Sequence, residues 1–172
     1  MFVSVTLSST GNSRLTFSLS GTQPIGSASD GFEIRTSRTV THGTGEGQAN
    51  AGWRNRVTIP AGQVLGLNLL ELEGSALNYA GIVAITKLKE IFCVVRTTTA
   101  GAHVLFGVIS PSDITGYSAR VGRGGDYRWA DYLDGLTITE SVNNWLYIAN
   151  PTGAGVEIDI AFMGVGTYSD NA

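Results

Sequence analysis

Reactive and basic side chains are scarce in this chain of 172 residues: lysine stands only at Lys87 and Lys89, histidine only at His42 and His103, cysteine only at Cys93. A lone cysteine excludes an intrachain disulfide and a cysteine-based zinc cluster. Its setting, Ile91-Phe92-Cys93-Val94-Val95, reads as a buried, inert thiol rather than a nucleophile. Charged residues make up 15% of the chain, against about 25% in ordinary domains. That shortfall suggests a surface covered in part by something neutral, as in a homo-oligomer or a particle lattice. Ser, Thr, Asn and Gly could also supply polarity without charge.

The net charge is −3 and neither sign forms a long run. Phosphate-neutralising proteins need clustered Lys and Arg. Here the arginines form only loose pairs, Arg35 with Arg38, Arg54 with Arg56, and Arg120 with Arg123. Up to Ser29 the only basic side chain is Arg14, so no basic arm for packaging nucleic acid is expected, and bulk nucleic-acid binding is not expected either. Met1-Phe2-Val3-Ser4-Val5-Thr6 lacks the charged start and apolar run of a signal peptide. No stretch reaches the roughly 18 unbroken apolar residues of a membrane helix. The expectation is a protein made in a cytoplasm, without membrane insertion.

What is present is alternation. Val3, Val5 and Leu7 alternate with polar residues, as do Leu15, Phe17 and Leu19, then Phe32 and Ile34; period two with one wet side predicts half-buried strands. Val57 and Ile59 lead into Pro60-Ala61-Gly62, a turn, and Val64 to Leu72 follows as an apolar strand. Ala80 to Ile85 is ambiguous and compatible with a helical turn. Glu90 to Arg96 is apolar on both faces, the pattern of a central strand buried on two sides. Two units then read as hairpins. Thr97 to Ala102 reverses the chain into His103 to Ile109, and Trp145-Leu146-Tyr147-Ile148 returns through Asn150 to Gly155 as Val156 to Val165. Two segments lack periodicity, His42 to Gly52 and Ser110 to Asp134, and both read as long loops. Structureless loops beyond about 15 residues, as at Ser110 to Asp134, are uncommon and often functional or interfacial. No amphipathic helix is legible. About eight to ten strands with short turns predict one all-β domain over residues 1–172, a two-sheet antiparallel β-sandwich of the jelly-roll kind.

Catalytic sets are not convincing. A hydrolytic triad needs a histidine between a carboxylate and a nucleophile, and neither His42 nor His103 sits in such a motif. Glu157 with Asp159, and Glu71 with Glu73, have the strand spacing that puts two carboxylates on one face, as a glycosidase would need. On alternating strands such pairs usually mark the wet face. Gly43-Thr44-Gly45-Glu46-Gly47 lacks the Lys and Ser/Thr of a phosphate loop. Asp126, Asp131 and Asp134 could contribute oxygens to calcium, but the EF-hand pattern is missing. The expectation is no enzyme, no metal and no cofactor. The residues that stand out are Tyr127, Arg128, Trp129 and Tyr132, with Arg123 and Asp126 beside them. Such a mixture suits either a sugar platform or the centre of a subunit contact, and both remain open.

From about Val57 onward the order of features resembles a loose group of small phage and virus-associated proteins with a jelly-roll fold. The matching stretches are Val57-Thr58-Ile59-Pro60-Ala61-Gly62-Gln63 before Leu65 to Leu69, then Ile91 to Thr98, then Trp145 to Gly153 followed by Ile158 to Gly164. Together they span about two thirds of the chain. The likeness is one of spacing and hydrophobicity. It implies a virion component, either a capsid subunit or a decoration or cement protein, whose partners are copies of itself and other virion proteins. The missing basic arm departs from packaging-type capsid proteins and points to an outer or auxiliary position or an empty shell. The alternative expectation is a carbohydrate- or host-receptor-binding module of a phage adsorption apparatus.

Overall fold

The computed structural model describes residues 9–23, 26–73, 81–107 and 117–170. Among them no helix occurs, and thirteen strands do: β1 (Ser9–Gln23), β2 (Gly26–His42), β3 (Gln48–Ala49), β4 (Ala51–Ile59), β5 (Val64–Asn68), β6 (Leu72–Glu73), β7 (Gly81–Val95), β8 (His103–Gly107), β9 (Tyr117–Gly122), β10 (Asp126–Ala130), β11 (Leu136–Thr137), β12 (Trp145–Ala149) and β13 (Val156–Asp170). The chain is all-β, and its strand pairs are antiparallel apart from the short parallel contact of β2 with β3. The strand expected at Val3 to Leu7 lies outside the described residues, as do Ile109 and the start of the Ser110 to Asp134 segment.

One sheet runs β10-β7-β13-β4, with β6 and β11 also pairing β7; a second runs β5-β12-β8-β9. Alternation decides which side chains meet between them. Ile91, Cys93 and Val95 of β7, Ile158, Ile160 and Phe162 of β13, Val104 and Phe106 of β8, and Leu146 and Ile148 of β12 belong to one buried cluster. Phe106 and Tyr127 stack across the two sheets at 4.6 Å, and Trp53 and Phe162 stack within one at 5.3 Å. The result is a sandwich whose core is the paired inner faces. A third sheet, β1-β2-β3, contains the long β1–β2 hairpin, paired from Ser9 with Val40 to Gln23 with Gly26.

Four expectations need correction. The two presumed hairpins are arches: β7 and β8 lie in different sheets, and so do β12 and β13. Turn residues reverse the chain equally well within a sheet and between sheets, so turn chemistry could not separate the two. Asn150 locks two such arches together, its buried side-chain amide donating to the carbonyls of Ile59 (2.8 Å), Pro60 (3.1 Å) and Ala154 (2.8 Å). The long loops shrink as well. His42 to Gly52 includes β3 and the start of β4, and Ser110 to Asp134 includes β9 and β10. Gly81 to Ile85 is strand, since β13 and β6 pair it on either side. Finally, β7 is central but buried on one face only, for Phe92 remains 41% exposed.

Where β7 crosses the middle of the sheet its alternation slips. The pairing with β13 skips Lys89 between Met163–Glu90 and Gly164–Leu88, and skips Thr86 between Val165–Lys87 and Gly166–Ile85. These two β-bulges bring β7 backbone close to β13, and only glycine fits there. A Cβ at Gly164 would fall on the Lys87 carbonyl oxygen, and one at Gly166 on that of Ala84.

Candidate interaction face

The outer face of the larger sheet is a grid read from its register. Arg54 of β4, Ala161 of β13, Phe92 of β7 and Arg128 of β10 form one row; Arg56, Asp159, Val94 and Asp126 form the next. Partners in antiparallel register share a face, so these side chains point away from the core. Small Ala161 between Arg54 and Phe92 leaves a hollow. The hollow is an open groove of about 360 Å³ lined by Arg54, Asn55, Arg56, Phe92, Asp159, Ile160 and Ala161.

Charge on this face is arranged around single carboxylates. Arg56 donates from Nε to Asp159 at 2.5 Å and from Nη2 at 3.1 Å, while Arg96 donates from Nε to the same carboxylate at 2.5 Å. Chiefly through the Arg56 hydrogen bond, and then that of Arg96, the Asp159 carboxyl is held down at about 2 despite partial burial that opposes ionisation. Arg54 makes no ion pair among the described residues, so the rim keeps an unspent positive charge. Nearer the sheet edge Arg128 donates to Glu90 at 2.8 Å and also to the Tyr132 hydroxyl, which itself donates to Glu90 at 3.0 Å. Burial pushes the Tyr132 phenol up, and the Glu90 carboxylate pushes it further. Partial burial works against the Arg128 guanidinium's charge, but Glu90 and Tyr132 outweigh it and raise its pKa.

Of the six residues singled out in sequence, four divide between the two faces of the sheet, because β10 is a strand. Asp126 and Arg128 face outward into the grid, while Tyr127 and Trp129 turn inward and pack on the core cluster. Tyr132 is 8% exposed and forms a small second cluster with Val40, Ala49 and Met163. Arg123 stays exposed in the turn before β10 and donates to the Thr98 carbonyl at 3.3 Å. The signal for this was present, since Tyr127 and Trp129 already alternate with Asp126, Arg128 and Ala130.

Lys89 is the residue that sequence reasoning passed over. It is 1% exposed, and its ammonium donates to the carbonyls of Gly45 (2.8 Å), Tyr132 (3.1 Å) and Leu133 (3.4 Å). The bulge explains this: freed from register with β13, Lys89 reaches beneath two turns and ties them to β7. Gly47 N–H adds a bond to the Tyr132 carbonyl at 2.9 Å. The two segments expected to act as separate loops thus meet at one point. The broken alternation, with Leu88 three residues after Ile85 and so out of phase with it, was its only trace.

The other candidate groups lie apart from this face. His103 Nδ1 lies 2.8 Å from the Gly101 carbonyl and donates to it, so Arg120 at 3.4 Å is a neighbour rather than a donor. His42 is exposed at the end of β2. Glu71 accepts from Asn68 at 2.9 Å. Among the described residues no group of three or more His, Cys, Asp or Glu converges as a metal site would, and Asp131 accepts from the backbone N–H of Asp134 at 3.2 Å. On the opposite sheet, Trp145 and Tyr147 project outward from β12, their rings 6.2 Å apart and nearly parallel, beside Gly66 of β5. Compared with protein families and with curated proteins, the chain matches no family model and no curated protein.

Proposed function

We propose that this chain is a structural subunit of a virus or phage particle, a single jelly-roll domain in the capsid or a decoration position that associates with copies of itself. The observation carrying the reading is strand order. Leaving aside the two-residue β6 and β11, the strands of the two facing sheets number eight, and in chain order they run first, eighth, third, sixth in one sheet and second, seventh, fourth, fifth in the other. That order supports a jelly-roll reading, a fold of eight strands in two Greek keys. A fold alone does not name a function, so the support has to include the surface. Charge is sparse, and an exposed phenylalanine sits among arginines on the outer sheet face, the composition of contact centres. The role proposed is structural rather than catalytic, the partners are further copies and other virion proteins, and the place of action is the virion after synthesis in a host cytoplasm. Light scattering behind size-exclusion chromatography tests it across a wide concentration range. Assembly into defined oligomers or particles is expected; a protein that stays monomeric at the highest concentration attainable overturns the proposal.

Recognition of a carbohydrate or host receptor is the second reading, favoured by the outward Trp145–Tyr147 pair. Both rings lie against Gly66, whose missing side chain leaves their approach to β5 open. A glycan array with Trp145→Ala as control tests it: saturable binding lost in the variant supports the reading, and no binding by the native protein removes it.

A further inference from the structure

We infer that copies of this chain join head to tail, the Leu133 turn of one copy seating in the Phe92–Ala161 groove of the next. The inference rests on the self-association proposed above and names its contact. Leu133 is 52% exposed, the tip of the turn between β10 and β11, with Asp131 and Asp134 on either side. Among the described residues neither carboxylate makes an ion pair. The groove is its complement: Phe92, 41% exposed, beside small Ala161, rimmed by Arg54, which makes no ion pair among the described residues, and by Arg56, which shares Asp159 with Arg96. An acidic apolar knob and a basic apolar hollow on different parts of one molecule fit a contact between unlike surfaces. Such a contact does not close on itself as a twofold dimer does, and so it propagates into rings or lattices.

The turn is also built to hold its shape. Lys89 fixes the carbonyls of Tyr132 and Leu133 from below, Asp131 N–H donates to the Lys89 carbonyl at 2.9 Å, and the buried Tyr132 side chain is anchored on Glu90. Gly135 closes the turn at φ +69°, with backbone of Leu88 too near for any side chain. An exposed apolar residue on a backbone so tightly held loses little freedom on docking, which is what distinguishes a contact anchor from an idle surface leucine. This gives the buried Lys89 a purpose beyond its own satisfaction.

Sedimentation velocity of Leu133→Glu, Phe92→Glu and their equimolar mixture tests the contact. Each variant alone is expected to associate at least about tenfold more weakly than the native chain. The mixture, holding one intact knob and one intact hollow, is expected to give one-to-one dimers and nothing larger. Arg54→Glu, on the exposed rim, is a second probe, with restoration expected when Asp134→Arg is added to it. Matching circular dichroism and melting confirm that each variant folds. Native assembly that persists unchanged in both variants overturns this contact while leaving self-association standing. Loss in Phe92→Glu but not in Leu133→Glu assigns the groove to another segment and also overturns it. A native chain that never associates overturns both proposals.

Discussion

The two faces of the β7–β13 sheet are made by alternate residues of the same strands, yet they obey different physics. Inward, Ile91, Cys93 and Val95 meet Ile158, Ile160 and Phe162 in a dry core. One residue along in each strand, Phe92 and Val94 stand with Asp159 and Ala161 beside arginines and water. Hydrophobicity alone does not separate these faces, since Phe92 is as apolar as Phe162. What separates them, among the described residues, is what lies opposite: a second sheet inward, and part of the β2–β3 region outward, where Val40 and Ala49 cover Met163. Stability should therefore reside on the inner face, and the association proposed above on the outer one.

The sharpest contrast is chemical. Burial, helped by the nearby Asp159 charge, pushes the Cys93 thiol up to about 12, so it should alkylate about a thousandfold more slowly than an ordinary thiol at neutral pH. A cysteine introduced as Phe92→Cys in a Cys93→Ala background should label at once, and slow labelling there would mean the outer face is covered. Truncation is next. Phe106→Ala should cost about 3–5 kcal/mol in denaturant unfolding, whereas Phe92→Ala should change stability by less than about 0.5 kcal/mol; similar costs for both would erase the distinction between the faces.

Lys89→Met keeps most of the volume but removes the donor from three carbonyls, and about 2–3 kcal/mol should be lost. Hydrogen exchange should quicken first in residues 43–47 and 131–135. Gly164→Ala, forced against the β7 backbone, should cost about 2 kcal/mol. The smallest effect belongs to Asp159. Its folded pKa lies below the usual 3.8, so its contribution is complete above that value and fades as pH falls toward about 2. Asp159→Asn should be slightly less stable than the native chain near neutral pH, converge with it as pH falls below about 2, and come closer to it in high salt.

Much of the fold was legible because alternation is a local signal. Val156, Ile158, Ile160 and Phe162 announced an inward face, and each is buried. Val104 and Phe106 did the same. Strand β10 was missed because glycines precede it, an aspartate follows it, and five residues give alternation little room. Its aromatics, which composition suggested for a contact, face the core, while Arg128 and Asp126 joined the outer grid. Groove and knob were invisible for a stronger reason. Phe92, Ala161 and Arg54 are far apart in the chain and become neighbours only through register, and Leu133 gains meaning only from the bulged lysine beneath it.

By itself the sequence determined that this chain is built of strands, where most of them turn, and which residues of each strand share a face, since these follow from side-chain period and turn chemistry within a few residues. Only the tertiary structure decided that all but one of the connections among the eight sandwich strands cross between sheets, which of two apolar faces is covered, and where a buried ammonium could be satisfied. Those outcomes depend on pairing between residues tens of positions apart, and no local pattern carries that information.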